Sequence, residues 1–460
     1  MSAGMQQFPS LPPARSLPVI STRGPAVSPP AATSRRHWQR ALAVGTVGAV
    51  LLLSPLPRAS NQPQAMMLWS ALIALAAALI AGRRPPPRLT PPAGWLLSLG
   101  GGLAVMALFQ ALPLPGWRGG LPVQTPAGEL VLASLSFAPG ASLIAALRIA
   151  GYLIFFLIVL GLAASRRRAR ALGNFAFWLV AAQAAWACTA LLLLGDIAPH
   201  GEKTAYAGMA TGSFVNRNSL ASYLGMGLVL GVALHLRPAR RRRGRWRPEV
   251  LALAVILLAL LLTQSRMGIA ASLAAAGVVL LRAGLSRARL LRLAVVPPVA
   301  GLALWSAGLL ERLAEAGLSD TARPALYRQV LGMIGDRPLT GFGFDSFPLV
   351  YQMYHAPPVP AGVSWENAHS SYLTLWVEGG LVAGSLPLLA GLIAGRALWR
   401  RAGRAAPGQS MALAGLGALT LAGLHASVDF SFEIPANAFL LLTLVGLGLG
   451  AGPTERGQDP

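Results

Sequence analysis

Long apolar runs repeat along almost the whole chain and constrain its fold more than any other feature. About twelve can be drawn between short polar segments, near 41–57, 65–82, 92–112, 143–164, 171–195, 214–236, 248–263, 267–282, 293–310, 371–395, 409–428 and 436–452. Several approach the roughly 20 residues that a membrane-spanning helix needs. Only 12% of the residues are charged, whereas a soluble domain carries roughly 25%. The sequence therefore predicts an all-α polytopic membrane protein with about twelve transmembrane helices.

Arginine clusters occupy every second polar segment and determine the predicted orientation. These segments hold 28 of the 38 basic residues, an excess that is typical of cytoplasmic loops. We therefore expect both termini in the cytoplasm, with a disordered tail over 1–40, a membrane domain over 41–452 and a short tail over 453–460. The spread of charge argues against nucleic-acid binding, because a DNA-binding protein would gather its basic residues on one soluble domain.

The longest predicted outside loop spans about 311–370, between the ninth and tenth spans. It mixes Leu, Tyr, Phe and Trp with charge, so we expect it to be ordered and to contain a short helix near 322–334. Arg323, Arg328 and Asp345 of this loop are possible supporting residues of a site. The simpler interpretation of Arg323 and Arg328 is that both are exposed side chains whose charges are solvated.

Two arginines stand at the predicted outer ends of spans, where a charge is expensive unless it is paired or faces a polar cavity. Arg217 lies between Asn216 and Asn218 at the start of the sixth span, and Arg266 lies between two apolar runs too close together for a true loop. The planar guanidinium group suits bidentate binding of phosphate. The pattern indicates an anion site at the outer face, with interfacial anchoring as the alternative.

His369 is the candidate acid or base, since an imidazole with an ordinary pKa of about 6.5 suits proton transfer near neutral pH. A helix-capping or interfacial histidine is the alternative. Glu378 lies nine residues further on, on the opposite side of a regular helix, so we expect it to support an arginine. Asp429, in the last outside turn, is expected to pair with one of the arginines. Asn367 is a further possible supporting residue.

Five segments follow one another between residues 212 and 440: GSFVNRNSLASYL, TQSRMG, TGFGFDSF, NAHSSYLTLWVEGGLVAG and HASVDFSFEIPAN. In this order they resemble the O-antigen ligase and polymerase superfamily of bacterial inner-membrane glycosyltransferases. The resemblance implies about twelve helices, a large periplasmic loop between the ninth and tenth, and a site that faces the periplasm. One departure concerns the histidine. Family members commonly read His-Asn, whereas here Ser370 follows His369 and Asn367 precedes it, so the histidine matches the family pattern and the asparagine does not.

The resemblance also implies the chemistry. Members of the family take a glycan from a polyprenyl (undecaprenyl) pyrophosphate carrier and pass it to an acceptor hydroxyl, with no metal, cofactor or nucleotide sugar. Arg217 and Arg266 match arginines to which pyrophosphate binding is attributed, and His369 matches the histidine to which activation of the acceptor is attributed. The implied partners are a carrier-linked glycan, an acceptor glycolipid, glycan or protein, and the lipid bilayer.

Three acceptors remain open within this family. A ligase passes the glycan to lipid A–core in lipopolysaccharide, a polymerase passes it to another carrier-linked repeat of an O-antigen or exopolysaccharide, and a protein glycosyltransferase passes it to a protein. A polytopic transporter is an alternative of another class. Transporters carry acids or broken helices near the middle of the membrane, whereas the polar residues here gather at one end of the spans.

Overall fold

The computed structural model describes residues 30–56, 58–81, 89–113, 121–126, 128–199, 201, 203, 205–235, 248–284, 322–360, 365–403 and 408–450. Within these ranges the chain is mostly helical. Its helices are α1 (Pro30–Leu53), α2 (Pro63–Ala81), α3 (Pro91–Ala111), α4 (Pro139–Ala163), α5 (Arg166–Leu192), α6 (Arg217–His235), α7 (Pro248–Leu262), α8 (Arg266–Arg282), α9 (Ala322–Asp336), α10 (Phe347–Tyr354), α11 (Ser371–Gly384), α12 (Leu386–Ala402), α13 (Gln409–His425) and α14 (Pro435–Gly450).

Five of these helices, α2 to α6, are long and apolar enough to cross a membrane. A sixth crossing results if α11 and α12, which meet at a bend of 72°, form one broken span. Helices α7 and α14 are apolar but shorter. The chain is a multi-pass membrane protein, but the predicted number of about twelve spans is not confirmed. The predicted ninth span, 293–310, lies outside the described residues.

Two details of the fold differ from the sequence prediction. Helix α1 begins at Pro30, so residues 30–40 of the predicted tail are helical. An antiparallel hairpin of β1 (Leu121–Thr125) and β2 (Gly128–Leu132) lies between α3 and α4, so the fold is not wholly helical. Two strands of five residues each give too short an alternation for periodicity to separate them from a loop.

Helix α6 lies at the centre of the bundle, packed against α5, α7, α8 and α13. In its most apolar window 83% of the residues are buried, more than in any other candidate span that the structure describes. A Cβ atom on Gly225 would overlap Ser272 of α8 and Leu421 of α13, and one on Gly227 would overlap Val180 of α5. Small residues let membrane helices approach closely. The glycines of α6 therefore fix the helix that begins at Arg217.

The polar stretch before α11 folds into a cap with its own apolar core. Helix α9 confirms the predicted helix near 322–334, and it packs against α10 and α11. The buried side chains of the cap include Leu326, Val330, Met333, Phe347, Val350 and Trp365. This core makes the described part of the predicted loop an ordered unit rather than a solvated connection.

Glycines attach the cap to the bend between α11 and α12. The backbone N–H of Gly343 donates to the carbonyl of Glu378 at 3.0 Å. Gly380 breaks the helical geometry of α11 with φ 70° and ψ 173°. A Cβ on Gly380 would overlap the carbonyl of Leu339, and one on Gly341 would overlap the carbonyl of Glu378. Only residues without a side chain allow this approach of two backbones, which positions the cap over the end of the bundle.

Candidate active site

Four helices begin at one end of the bundle: α6 at Arg217, α8 at Arg266, α11 at Ser371 and α14 at Pro435. Side-chain and backbone hydrogen bonds join the segments around these starts. A helix N-terminus carries partial positive charge and unpaired backbone N–H groups, and both favour an anion. Two of the four helices also begin with an arginine, so this end of the bundle has the character of an anion site.

Asn218 lies at the centre of the hydrogen bonds that join these helices. Its Nδ2 donates to Asp429 Oδ2 at 2.8 Å, and its Oδ1 accepts from Ser265 Oγ, the N-cap residue of α8, at 2.8 Å. Asn216 Oδ1 accepts from the backbone N–H of Asn218 at 2.7 Å and so caps α6. Ser371 Oγ donates to the backbone carbonyl of Asp429 at 3.4 Å. The polar pair Asn216 and Asn218 therefore fixes α6 relative to α8 and α11.

Asp429 accepts hydrogen bonds from an amide and a hydroxyl, although the sequence led us to expect an arginine partner. One carboxylate oxygen accepts from Asn218, and the other accepts from the backbone N–H of Ser431 at 2.9 Å and from its hydroxyl. The residue is only 2% exposed, in the turn between α13 and α14. The short side chains of Ser431 and Asn218 can donate there without the space that a guanidinium group needs.

Three arginines, Arg217, Arg266 and Arg323, form the basic side of the site. The guanidinium group of Arg217 lies 5.7 Å from the ring centroid of Tyr206, and its Nη1 lies 2.9 Å from Met209 Sδ. The charges of Arg266 and Arg323 both act on Arg217. Three like charges at such a place repel one another unless an anion is bound between them. The basic side is therefore suited to a multiply charged anion.

Tyr206 connects this basic side electrostatically with Asp429. Burial raises the pKa of the Tyr206 hydroxyl, the charge of Asp429 raises it further, and Arg217 and Arg323 oppose the shift. Tyr206 belongs to the connection between α5 and α6, whereas Arg323 belongs to the cap. The cap and the helix bundle thus supply charges to the same small region.

His369 immediately precedes the N-cap of α11 and has a left-handed backbone, with φ 52°. Its ring lies edge-on to Trp365 and Phe430, with ring centroids 5.7 Å away in both cases. The Tyr327 hydroxyl donates to its backbone carbonyl at 3.2 Å. A left-handed conformation is uncommon for a residue with a side chain and persists when the surroundings impose it. Contacts from the cap and from the turn before α14 hold this imidazole.

The surroundings of His369 favour the neutral ring. Burial lowers its pKa from the ordinary value of 6.5, Asp429 opposes that shift, and Arg323 adds to it. Nδ1 is buried and has no hydrogen-bond partner among the described residues. A neutral imidazole with an uncommitted ring nitrogen can accept a proton from a bound hydroxyl.

A second side of the site is rich in carboxylates. Arg148 of α4 forms a bidentate ion pair with Asp345 of the cap, with Nη1–Oδ2 and Nη2–Oδ1 distances of 2.9 and 2.7 Å. Glu378 of α11 is buried next to this pair, and its Oε1 accepts from the backbone N–H of Phe347 at 3.3 Å. The charge of Glu378 acts on Arg148. These contacts join α4, the cap and α11.

The Arg148–Asp345 pair gives a prediction about docking of the cap. We expect Asp345→Asn to lower the free energy of unfolding by about 1–2 kcal/mol, between the values typical of exposed and buried ion pairs. The side chains are 29% and 31% exposed, so the full effect of a buried pair does not apply. Limited proteolysis should cut the cap faster in this variant, and thermal unfolding in detergent should begin earlier. Glu366→Gln, which changes an exposed acid of the same cap, is the matched control. Equal proteolysis of both variants would contradict a docking role for the ion pair.

Two of the residues that the sequence singled out, Arg328 and Asn367, do not take part in the site contacts described above. Arg328 is exposed on α9, and Asn367 lies beside Glu433. Sequence reasoning missed Arg148, Tyr206 and Glu433 as members of the site. Only Arg148 gave a usable signal, since it is a lone arginine within the apolar run ASLIAALRIAGY. Among the described residues, no group of three or more His, Cys, Asp or Glu side chains is arranged to hold a metal ion.

Comparison with known proteins finds one similarity to a protein family. The family model described as O-antigen ligase matches residues 251–388. This range contains Arg266, Arg323, Asp345, His369 and Glu378, whereas the residues contributed by α6 and by the turn before α14 lie outside it. No curated protein matches the chain. This match confirms, over residues 251–388, the resemblance of the chain to the O-antigen ligase and polymerase superfamily.

Proposed function

We propose that this protein transfers a glycan from a polyprenyl pyrophosphate carrier to an acceptor hydroxyl at the periplasmic face of the inner membrane, as in O-antigen ligation to lipid A–core. Proteins of this family are glycosyltransferase-like enzymes. One observation carries the proposal: at the end of the bundle where α6, α8, α11 and α14 begin, the charge of Arg323 acts both on the His369 imidazole, which is favoured in its neutral form, and on Arg217, on which Arg266 also acts.

The reaction exchanges one bond at the anomeric carbon of the donor sugar. The acceptor oxygen forms a bond to that carbon while the bond to the pyrophosphate oxygen breaks. His369 takes the hydroxyl proton, and the polyprenyl pyrophosphate leaves with the electron pair of the broken bond. A single displacement of this kind inverts the configuration of the anomeric carbon. No metal ion and no nucleotide sugar take part in this scheme.

Arg217 and Arg266 bind the pyrophosphate in this proposal, and Arg323 assists from the cap. Negative charge grows on the leaving group as the bond breaks, so fixed positive groups stabilise the transition state more than the ground state. The helix N-termini of α6 and α8 act in the same direction. A carrier lipid can enter such a site sideways from the bilayer, which keeps its polyprenyl chain in the apolar phase.

The proposal can be tested with the purified protein in liposomes and a carrier-linked glycan added with candidate acceptors. We expect the glycan to move to an acceptor with inverted anomeric configuration and free polyprenyl pyrophosphate to accumulate. Lipid A–core, a second carrier-linked repeat and an acceptor protein are offered separately, and the one that receives the glycan separates ligase, polymerase and protein glycosyltransferase. Movement of intact solute into the liposomes without cleavage of the carrier would instead identify a transporter.

A further inference from the structure

Asn367 connects the turn that carries His369 to the last turn of the site. With its amide nitrogen facing Glu433, Asn367 Nδ2 lies 3.1 Å from Glu433 Oε2 and 3.2 Å from the backbone carbonyl of Glu366. Glu433 is held in turn by its backbone N–H, which donates to the carbonyl of Phe430 at 2.9 Å. Phe430 is also the residue whose ring lies against His369. This hydrogen bond joins the two segments that enclose the imidazole, in addition to the one that Ser370 Oγ donates to the carbonyl of Ala426 at 3.5 Å.

Glu433 is exposed by surface area, yet protein groups from several elements surround its carboxylate. It faces Arg148 and Tyr152 of α4, Asp345 of the cap, Ser371 and Glu378 of α11, and Asp429 in its own turn. Burial raises the pKa of Glu433 to about 7, Asp345 and Asp429 add to the shift, and the Ser371 hydrogen bond and Arg148 oppose it. Burial, with the charges of Asp345 and Asp429, therefore lets this carboxylate exchange its proton near neutral pH.

We propose that Glu433 is a positioning residue that acts through Asn367: its ionised carboxylate holds the Asn367 amide and thereby holds the 365–370 turn in the conformation that aims His369. This inference rests on the proposed function, in which His369 accepts the proton of the acceptor. In this inference Asn367, two residues before the histidine, is the residue through which ionisation of Glu433 affects the conformation of the turn.

The sign of the pH effect follows from the strength of the hydrogen bond. Above pH 7 the Glu433 carboxylate is ionised, and a charged acceptor binds an amide N–H roughly twice as strongly as a neutral one. Below pH 7 it is protonated, so the turn is held less firmly and transfer slows. Burial lowers the pKa of His369 from its ordinary value, so protonation of the imidazole itself acts at a lower pH than protonation of Glu433. The rate should therefore fall in two steps as the pH falls, the first near pH 7.

The test compares the dependence of kcat/KM on pH for the full-length protein and three variants in liposomes. We expect Glu433→Gln to lose the step near pH 7 and to be about tenfold slower than wild type at pH 8, the loss of one charge-assisted hydrogen bond. Asn367→Ala should lose the same step, because Glu433 then has no amide to hold. Combining the two changes should slow transfer no further than Asn367→Ala alone. Glu366→Gln, an exposed neighbour, should keep the wild-type profile.

Each result decides for or against the inference. Persistence of the step near pH 7 in Glu433→Gln or in Asn367→Ala would overturn it, as would additive losses in the double variant. If Glu433→Gln does not fold, Asn367→Ala alone makes the same decision, because Asn367 is only half-buried in a surface turn. Absence of transfer by the wild-type protein with every acceptor would refute the proposed function instead, whereas transfer with an unchanged variant profile refutes only the role of Glu433.

Discussion

Replacing His369 with glutamine is expected to slow glycan transfer by about 10²–10⁴-fold, the usual contribution of general acid–base catalysis. Glutamine fills a similar volume between Trp365 and Phe430 but cannot accept a proton at neutral pH. Binding of the carrier-linked glycan should change little, because the arginines of the basic side are untouched. Single-turnover transfer in liposomes measures the rate, and retention of labelled carrier-linked glycan measures binding.

His355→Gln is the matched control for this experiment. His355 lies in the same cap and packs edge-on against Tyr351 at 5.8 Å, but it makes no described contact with His369 or Asp429. We expect this variant to transfer glycan at the wild-type rate. If His369→Gln were equally active, the imidazole would be a structural residue of the turn, and the base would have to be sought among the carboxylates of the site.

The sequence was sufficient to predict the membrane class, the helix at the start of the described cap and the resemblance to the O-antigen ligase family that residues 251–388 show. These depend on local signals: apolar length, spacing of arginines and short motifs. The number of spans was harder to predict, because helices such as α7 and α14 are shorter than a full crossing, and α11 and α12 bend by 72°. A hydropathy pattern shows how much apolar sequence there is, but not where a glycine such as Gly380 interrupts a helix.

The partners of the candidate residues could not be predicted from sequence, because they are far apart along the chain. Arg148 and Asp345 are separated by 197 residues, and Asn218 and Asp429 by 211. The motif around Asp429 indicated a charged partner, but Ser431 of its own turn and Asn218 of α6 donate to this carboxylate instead. Asn367 stands on the other side of His369 from the family pattern, and only the fold brings it against Glu433. Sequence therefore indicated which residues carry chemistry, while the packing of helices decides which of them act together.

Arg217→Ala is expected to slow transfer by about 10²–10³-fold, the usual effect of removing one donor that stabilises an oxyanion. Arg217→Lys should lie between this variant and wild type, since lysine keeps the charge but loses the two-pronged geometry that matches a phosphate. Because charge on the leaving group grows in the transition state, the larger part of the loss should appear in kcat rather than in KM. Steady-state transfer over a range of carrier-linked glycan concentrations separates the two.

The control for Arg217 is an arginine in the same kind of contact at the other end of the bundle. Arg282, the last residue of α8, lies 4.6 Å from the ring centroid of Trp399, much as Arg217 lies over Tyr206. Arg282→Ala therefore loses a comparable cation–π contact without changing the basic side, and we expect transfer at the wild-type rate. If both alanine variants were equally active, Arg217 would serve only as an anchor at the membrane interface. A loss confined to Arg217→Ala, largest in kcat and partly restored by lysine, would place the leaving pyrophosphate at the start of α6.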